Sequence, residues 1–248
     1  MVNQWRRRPG RRTLDLKPDE IRRDFLIPRV KMRQTDPRGK TRIELNQTPM
    51  KISILLAHPN PGSFNHAIAT TAADTLRQLG HQVILHDLCL EQFPALLPAA
   101  ELKRDAKLDP VILRHCEEIV AADGIIIVHP NWWDTPPAIL KGWVDRVLRM
   151  GVAYRFETNE NGEGVSVGML PARAALVFNT ANTPDEYELK VLGDPLEKFW
   201  KQCVLNVCGV KNVQRRNFSV VITSTPEQRA AWLAEVRAMV GRIFPGRG

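Results

Sequence analysis

Apolar residues along this chain fall into two rhythms that alternate from residue 51 onward. Short runs rich in β-branched residues predict strands at Lys51 to Ala57, Gln82 to His86, Gly124 to Val128, Ala174 to Phe178 and Val213 to Val221. The run Ile125-Ile126-Ile127-Val128 is apolar at every position, the pattern of a strand covered on both faces of a parallel sheet. Between the runs, apolar residues recur every three or four positions. Helices are predicted over Asn65 to Leu79, with Ala69, Ala72, Ala73 and Leu76 inward and Gly80 closing it, and over Val111 to Ala121. Further helices are expected over Pro137 to Met150, over most of Leu189 to Cys208, and over Pro226 to Ile243, where Trp232, Val236, Met239, Val240 and Ile243 share one side. Phe93 to Leu108 reads as a proline-containing connection, and the polar stretch Glu157 to Gly164 as a hairpin or surface excursion.

Strand–helix alternation of this kind builds an α/β fold, a three-layer doubly wound five-stranded parallel sheet with nearly forced crossover handedness. No G-x-G-x-x-G follows the first strand, which disfavours the dinucleotide-binding order and favours the flavodoxin-like order 2-1-3-4-5. In that order the first and third strands are neighbours at the switch point, and ligands bind at their carboxyl ends.

Charge separates residues 1–50 from the rest. They hold 14 of the 35 Lys and Arg and 6 of the 27 Asp and Glu, which leaves 21 of each sign in residues 51–248. The division expected is a basic arm, 1–50, disordered or loosely attached, ahead of one domain, 51–248. Arg22-Arg23 is followed by charged residues, which excludes an export signal. A mitochondrial presequence, a basic tail and a natural start at Met50 stay open as readings of the arm. The neutral body carries no basic footprint for nucleic acid. Cys89, Cys116, Cys203 and Cys208 form no C-x-x-C pair and are expected to be buried, reduced thiols of a cytoplasmic protein. No apolar stretch approaches the roughly 18 residues of a transmembrane span. The histidines lack zinc-site spacing; His58 and His129 end neighbouring strands, but no carboxylate or cysteine completes a set, so no metal is expected.

Two loops carry candidate chemistry. His58-Pro59-Asn60-Pro61-Gly62-Ser63-Phe64-Asn65 leads the first strand into a helix N-terminus, whose unpaired N–H groups and dipole suit an anion. On its own it could equally be a loop in which Ser63 or Asn65 caps the helix. The third strand ends in His129-Pro130-Asn131-Trp132-Trp133, placing two large aromatics on a tight loop at the same sheet edge. A phosphate cradle beside a flat aromatic wall describes a flavin site. Trp143 and Trp200 sit at helical spacing among apolar residues and are expected in the core or an interface; Lys141 and Asp145 form a surface pair at i,i+4.

These segments resemble the flavodoxin-like NAD(P)H:quinone oxidoreductases, a family that spans the DT-diaphorase, modulator-of-drug-activity-B and potassium-efflux ancillary reductase types. The resemblance covers about Lys51 to Phe244 and is most specific at Ser63-Phe64-Asn65 after His58, and at Pro137-Ala138-Ile139-Leu140-Lys141-Gly142-Trp143. It implies that His58, Ser63, Phe64 and Asn65 hold the phosphate and ribityl chain of FMN or FAD. Pro130, Asn131, Trp132 and Trp133 would line the isoalloxazine, and Asn179, Thr180, Ala181 and Asn182 its pyrimidine end. Tyr187 would match the family's catalytic tyrosine; on the residues alone it reads equally as a surface tyrosine in a polar loop. Ala181-Asn182 replaces the family's double glycine, and Leu192 lies near the place of a histidine found in the animal enzymes. The implied function is hydride transfer from NAD(P)H to flavin and two-electron reduction of a quinone or similar acceptor, in a homodimer. The alternatives are a regulatory subunit partnering a membrane transporter, an azoreductase, and an electron carrier; the neutral body argues against the last.

Overall fold

A computed structural model of the chain describes residues 48–103 and 105–246. The arm, 1–47, lies outside the described residues, so the readings of it rest on sequence.

The elements run β1 (Lys51–Leu56), α1 (Phe64–Gln78), β2 (Gln82–Asp87), α2 (Pro110–Val120), β3 (Gly124–Pro130) and α3 (Ala138–Val147). Then come the hairpin strands β4 (Tyr154–Thr158) and β5 (Gly164–Gly168), followed by β6 (Ala174–Thr180), the short helices α4 (Asp185–Tyr187) and α5 (Pro195–Lys198), β7 (Asn212–Phe218) and α6 (Pro226–Ile243). Five strands form one sheet in the order β2-β1-β3-β6-β7, all pairs parallel. With the hairpin strands set apart, this is the 2-1-3-4-5 order. The predicted polar excursion is the antiparallel β4–β5 pair.

Alternate residues of the central strands feed two cores. Ile125, Ile127, Ala175 and Val177 face a layer that holds Ile112, Trp143 and Trp200. Ile126, Val128, Leu176 and Phe178 face α1 and α6, meeting Ile68, Leu76, Val236 and Val240. Both sides of β3 are therefore dry, as its unbroken apolar run requires. Gly142 lets α3 approach the connection after β2: a Cβ there would lie 2.3 Å from the Ala95 carbonyl oxygen. The same connection is tied down by Glu101, buried against the guanidinium of Arg146 on α3. The Lys141–Asp145 pair forms on the surface of α3 at 2.6 Å.

Three expectations need correction. The helix expected over Leu189 to Cys208 is broken, because Gly193 and Asp194 both take left-handed angles, φ 73° and 48°. Asp194 then caps a new start, accepting from the Glu197 N–H, with Pro195 at the first helical position. The fifth strand stops at Phe218 rather than Val221, since Val221 turns its N–H to the Ala181 carbonyl and Asn182 Oδ1 takes the N–H of Ile222. Of the four thiols only Cys116 and Cys208 are buried; both are pushed up to about 11 by burial, while Cys203 points outward from the broken helix. Among the described residues no helix is long and apolar enough to cross a membrane.

Candidate active site

The carboxyl ends of β1, β3 and β6 bring the three predicted segments to one edge. Ser63 caps α1, its Oγ accepting from the His66 N–H. The Ser63 hydroxyl also meets His66 Nδ1 at 2.9 Å, and His66 Nε2 lies 2.9 Å from Asp87 at the end of β2. Serine, two residues and a histidine follow the capping-box spacing with His in the place of Glu; that signal lay in the sequence and His66 was missed. Asn65 Nδ2 donates to Thr180 Oγ1 at 2.9 Å, and the Asn131 N–H donates to the Thr180 carbonyl at 2.7 Å. Thr180 thus joins the helix N-terminus to the tryptophan loop. The His58 and Trp132 rings stand 6.1 Å apart across the opening. His58 Nδ1 accepts the Asn60 N–H, which places its own proton on Nε2; burial lowers its pKa, so the ring is neutral near pH 7.

The tryptophan loop is a two-residue turn. Trp132 and Thr135 exchange backbone hydrogen bonds at 3.2 and 3.1 Å, and Trp133 and Asp134 between them both have φ near 55°. Such a turn reverses the chain tightly and aims the side chain at its tip outward. Trp133 is 96% exposed and Trp132 44%. Together with Asn131 they line an open cavity of about 420 Å³, within the range of small-molecule sites.

Two of the predicted side chains turn elsewhere. Phe64 leans on Phe218 and Trp232, ring centroids 6.2 and 5.7 Å away, leaving its backbone at the edge. Asn179 is buried beneath the edge: its Nδ2 donates to His129 Nε2 at 2.7 Å and its Oδ1 accepts from Arg215 Nε at 2.6 Å. His129 Nε2 also accepts Trp200 Nε1–H at 2.8 Å, and Nδ1–H donates to the Pro130 carbonyl at 2.8 Å. With Nδ1–H donating and the single lone pair of Nε2 shared by Trp200 and Asn179, protonation of His129 is disfavoured, and burial brings its pKa down to about 3. This closed network, ended by Arg215 on Asp194 at 2.7 Å, is the floor under the edge.

Ala181 and Asn182 shape the loop after β6, the first through backbone bonds to Phe218 and Val221, the second through Ile222. Tyr187 is half exposed on α4. Its neighbour Glu188, absent from the sequence prediction, is buried and receives Asn131 Nδ2 at 2.9 Å. Burial raises the Glu188 pKa, opposed by that bond.

Away from this edge, His86, Glu91 and His115 bring ligand-type atoms within 4.8 Å of one another. His86 meets Glu91 at 2.9 Å and Glu118 at 2.6 Å through its two ring nitrogens. His115 Nδ1 accepts Trp143 Nε1–H at 3.2 Å, so its proton sits on Nε2, 3.6 Å from Glu91. Burial and His86 depress the His115 pKa to about 3. His115 turns a proton rather than a lone pair toward the Glu91 carboxylate, and the group joins β2, the following connection and α2.

Comparison with known proteins agrees with this architecture. The Flavodoxin_2 family, described as having a flavodoxin-like fold, matches residues 50–240. An uncharacterized NAD(P)H oxidoreductase of Haemophilus influenzae is 34% identical over 188 residues, covering 73% of this chain and 89% of that protein. Human ribosyldihydronicotinamide dehydrogenase [quinone] is 29% identical over 209 residues, 73% of this chain and 88% of the relative. The structure of an NAD(P)H:quinone oxidoreductase from Methanothermobacter marburgensis superposes with a TM-score of 0.65 at 26% identity, over 79% of this chain and 98% of that one. The chain belongs to the flavodoxin-like NAD(P)H:quinone oxidoreductase family.

Proposed function

We propose that the protein is a flavin-dependent NAD(P)H oxidoreductase that reduces a quinone-like acceptor by two electrons in a ping-pong cycle. One observation carries the reading: a helix N-terminus and an outward tryptophan turn converge at the same sheet edge, joined through Thr180.

The donor set fits the group. The N–H groups of Phe64 and Asn65, in the first turn of α1, have no acceptor within the helix and suit a phosphate. His58 adds a neutral Nε2–H, and the small loop through Gly62 leaves room for the anion. Asn65 Oδ1 is buried without a partner, an acceptor suited to a ribityl hydroxyl. Trp132 and Trp133, with Pro130 and Asn131, would receive the flat ring, and Thr180, Ala181 and Asn182 would border its pyrimidine end. A bound flavin would supply the redox chemistry, taking a hydride from NAD(P)H and passing two electrons to the acceptor. The chain's part is to hold the anion at the helix end, keep the ring against the turn, and leave one face open to each substrate in succession. Tyr187, beside Glu188, would border that open face. Exposed Leu189 and Val191 on the same segment would suit burial against a second copy in a homodimer.

Purified protein should carry or take up one FMN or FAD per chain, identified by mass after release. With it, NAD(P)H oxidation should depend on menadione and give parallel double-reciprocal lines. Colourless protein that binds neither flavin would sink the reading; flavin binding without turnover would leave a binding subunit instead.

A further inference from the structure

The tryptophan turn is held from outside itself. Left-handed backbone angles at two successive side-chain-bearing residues, Trp133 and Asp134, are disfavoured unless the surroundings impose them. Thr135 closes the turn, its hydroxyl donating to the Trp132 carbonyl at 2.9 Å. Asn131 braces it at the base: Nδ2 donates to Asp134 Oδ1 at 3.3 Å and to Glu188 Oε1 at 2.9 Å. Both carboxylates draw on the same amide nitrogen, and Asn131 Oδ1 is left buried without a partner. The amide is therefore oriented by the carboxylates, not by its oxygen.

Glu188 is only 4% exposed, and its second oxygen lies 3.4 Å from Asn217 Nδ2. Asn131 follows β3 and Asn217 belongs to β7, with β6 between them. A single carboxylate thus ties the tryptophan loop to the far strand, over the end of the strand that carries Thr180. A buried carboxylate needs this kind of double donation to be tolerated at all.

We propose that Glu188 is a positioning residue for the crevice, which through Asn131 fixes the Trp132–Thr135 turn in its ligand-receiving form. The ligand named here rests on the flavin reading; the geometry does not. The test compares Glu188→Ala, Glu188→Gln and Asn131→Ala with the native chain, by titration with FMN and FAD and by the indole N–H resonances of Trp132 and Trp133 without flavin. Glu188→Ala and Asn131→Ala cut the same link, and each should weaken flavin binding about tenfold, the equivalent of one charge-assisted hydrogen bond, and displace both resonances. Glu188→Gln should rescue both readouts, because its amide oxygen can still accept from Asn131 Nδ2 while Asn217 keeps its donation to Asp185 at 2.8 Å. Native-like resonances and affinity in both alanine variants would overturn the proposal, as would a Gln variant as impaired as Ala. If the native chain binds neither flavin, the functional reading fails, and the resonances alone still decide the role of Glu188.

Discussion

Two pairs among the six tryptophans of this chain are treated oppositely by the fold. Trp143 and Trp200 are buried, with their indole N–H groups donating to His115 and His129. Trp132 and Trp133 stand on a turn of disfavoured backbone geometry, and Trp133 has almost its whole surface in water. A buried tryptophan stabilises the fold through its large apolar area, provided its N–H finds an acceptor. An exposed one on a braced turn contributes little to folding and keeps its face available for a ligand. The difference separates residues that build the domain from residues that wait for something flat.

The contrast can be broken most sharply by truncation. Trp200→Ala should cost about 3–5 kcal/mol, since it opens a cavity and removes a donor from His129; urea unfolding measures it, and a loss below about 1 kcal/mol would contradict the core assignment. Trp143→Ala should behave alike.

The acceptors of the buried pair give the next largest effect. His115 and His129 have pKa values depressed to about 3, against an ordinary 6.5. The unfolded chain therefore binds two more protons than the folded one between those limits. Stability should be complete above pH 6.5 and fall as pH drops toward 3, by up to about 1.4 kcal/mol per pH unit for each ring. In a His129→Gln variant the slope should lose about one proton; an unchanged slope would mean that His129 is protonated in the native state.

The exposed pair should show the mirror image. Trp133→Ala should leave the unfolding midpoint within about 0.5 kcal/mol of native and weaken flavin binding by about 1 kcal/mol, some fivefold, from lost stacking. Trp132→Ala should act on the acceptor more than on the cofactor, changing its KM about threefold. At the small end, Lys141→Ala on the surface of α3 should change stability by only a few tenths of a kcal/mol, as an exposed i,i+4 pair does.

What could be read from the sequence followed from local periodicity. β3 announced itself because its short apolar run is β-branched at all four successive positions, the mark of a doubly covered strand, and α6 because its inward positions keep helical spacing to the end. The break at Gly193 was also written there: Gly-Asp-Pro combines a left-handed terminator, a cap and a first-turn proline, and the apolar spacing on either side concealed it. Asn179 followed strand parity, falling on the same face as Ala175 and Val177, so its side chain went into the floor while the resemblance pointed to the edge. Glu188 could not have been found. Its partners Asn131 and Asn217 lie 57 and 29 residues away, and nothing local distinguishes it from its acidic neighbours. The same holds for His86 and His115, which meet only because β2 and α2 pack together.

The most direct measurement is an anaerobic half-reaction with the flavin-loaded protein. NAD(P)H added without an acceptor should bleach the visible absorption, and menadione added afterwards should restore it, with one two-electron equivalent consumed per chain in each step. Colour that persists under excess NADH and excess NADPH would contradict the account.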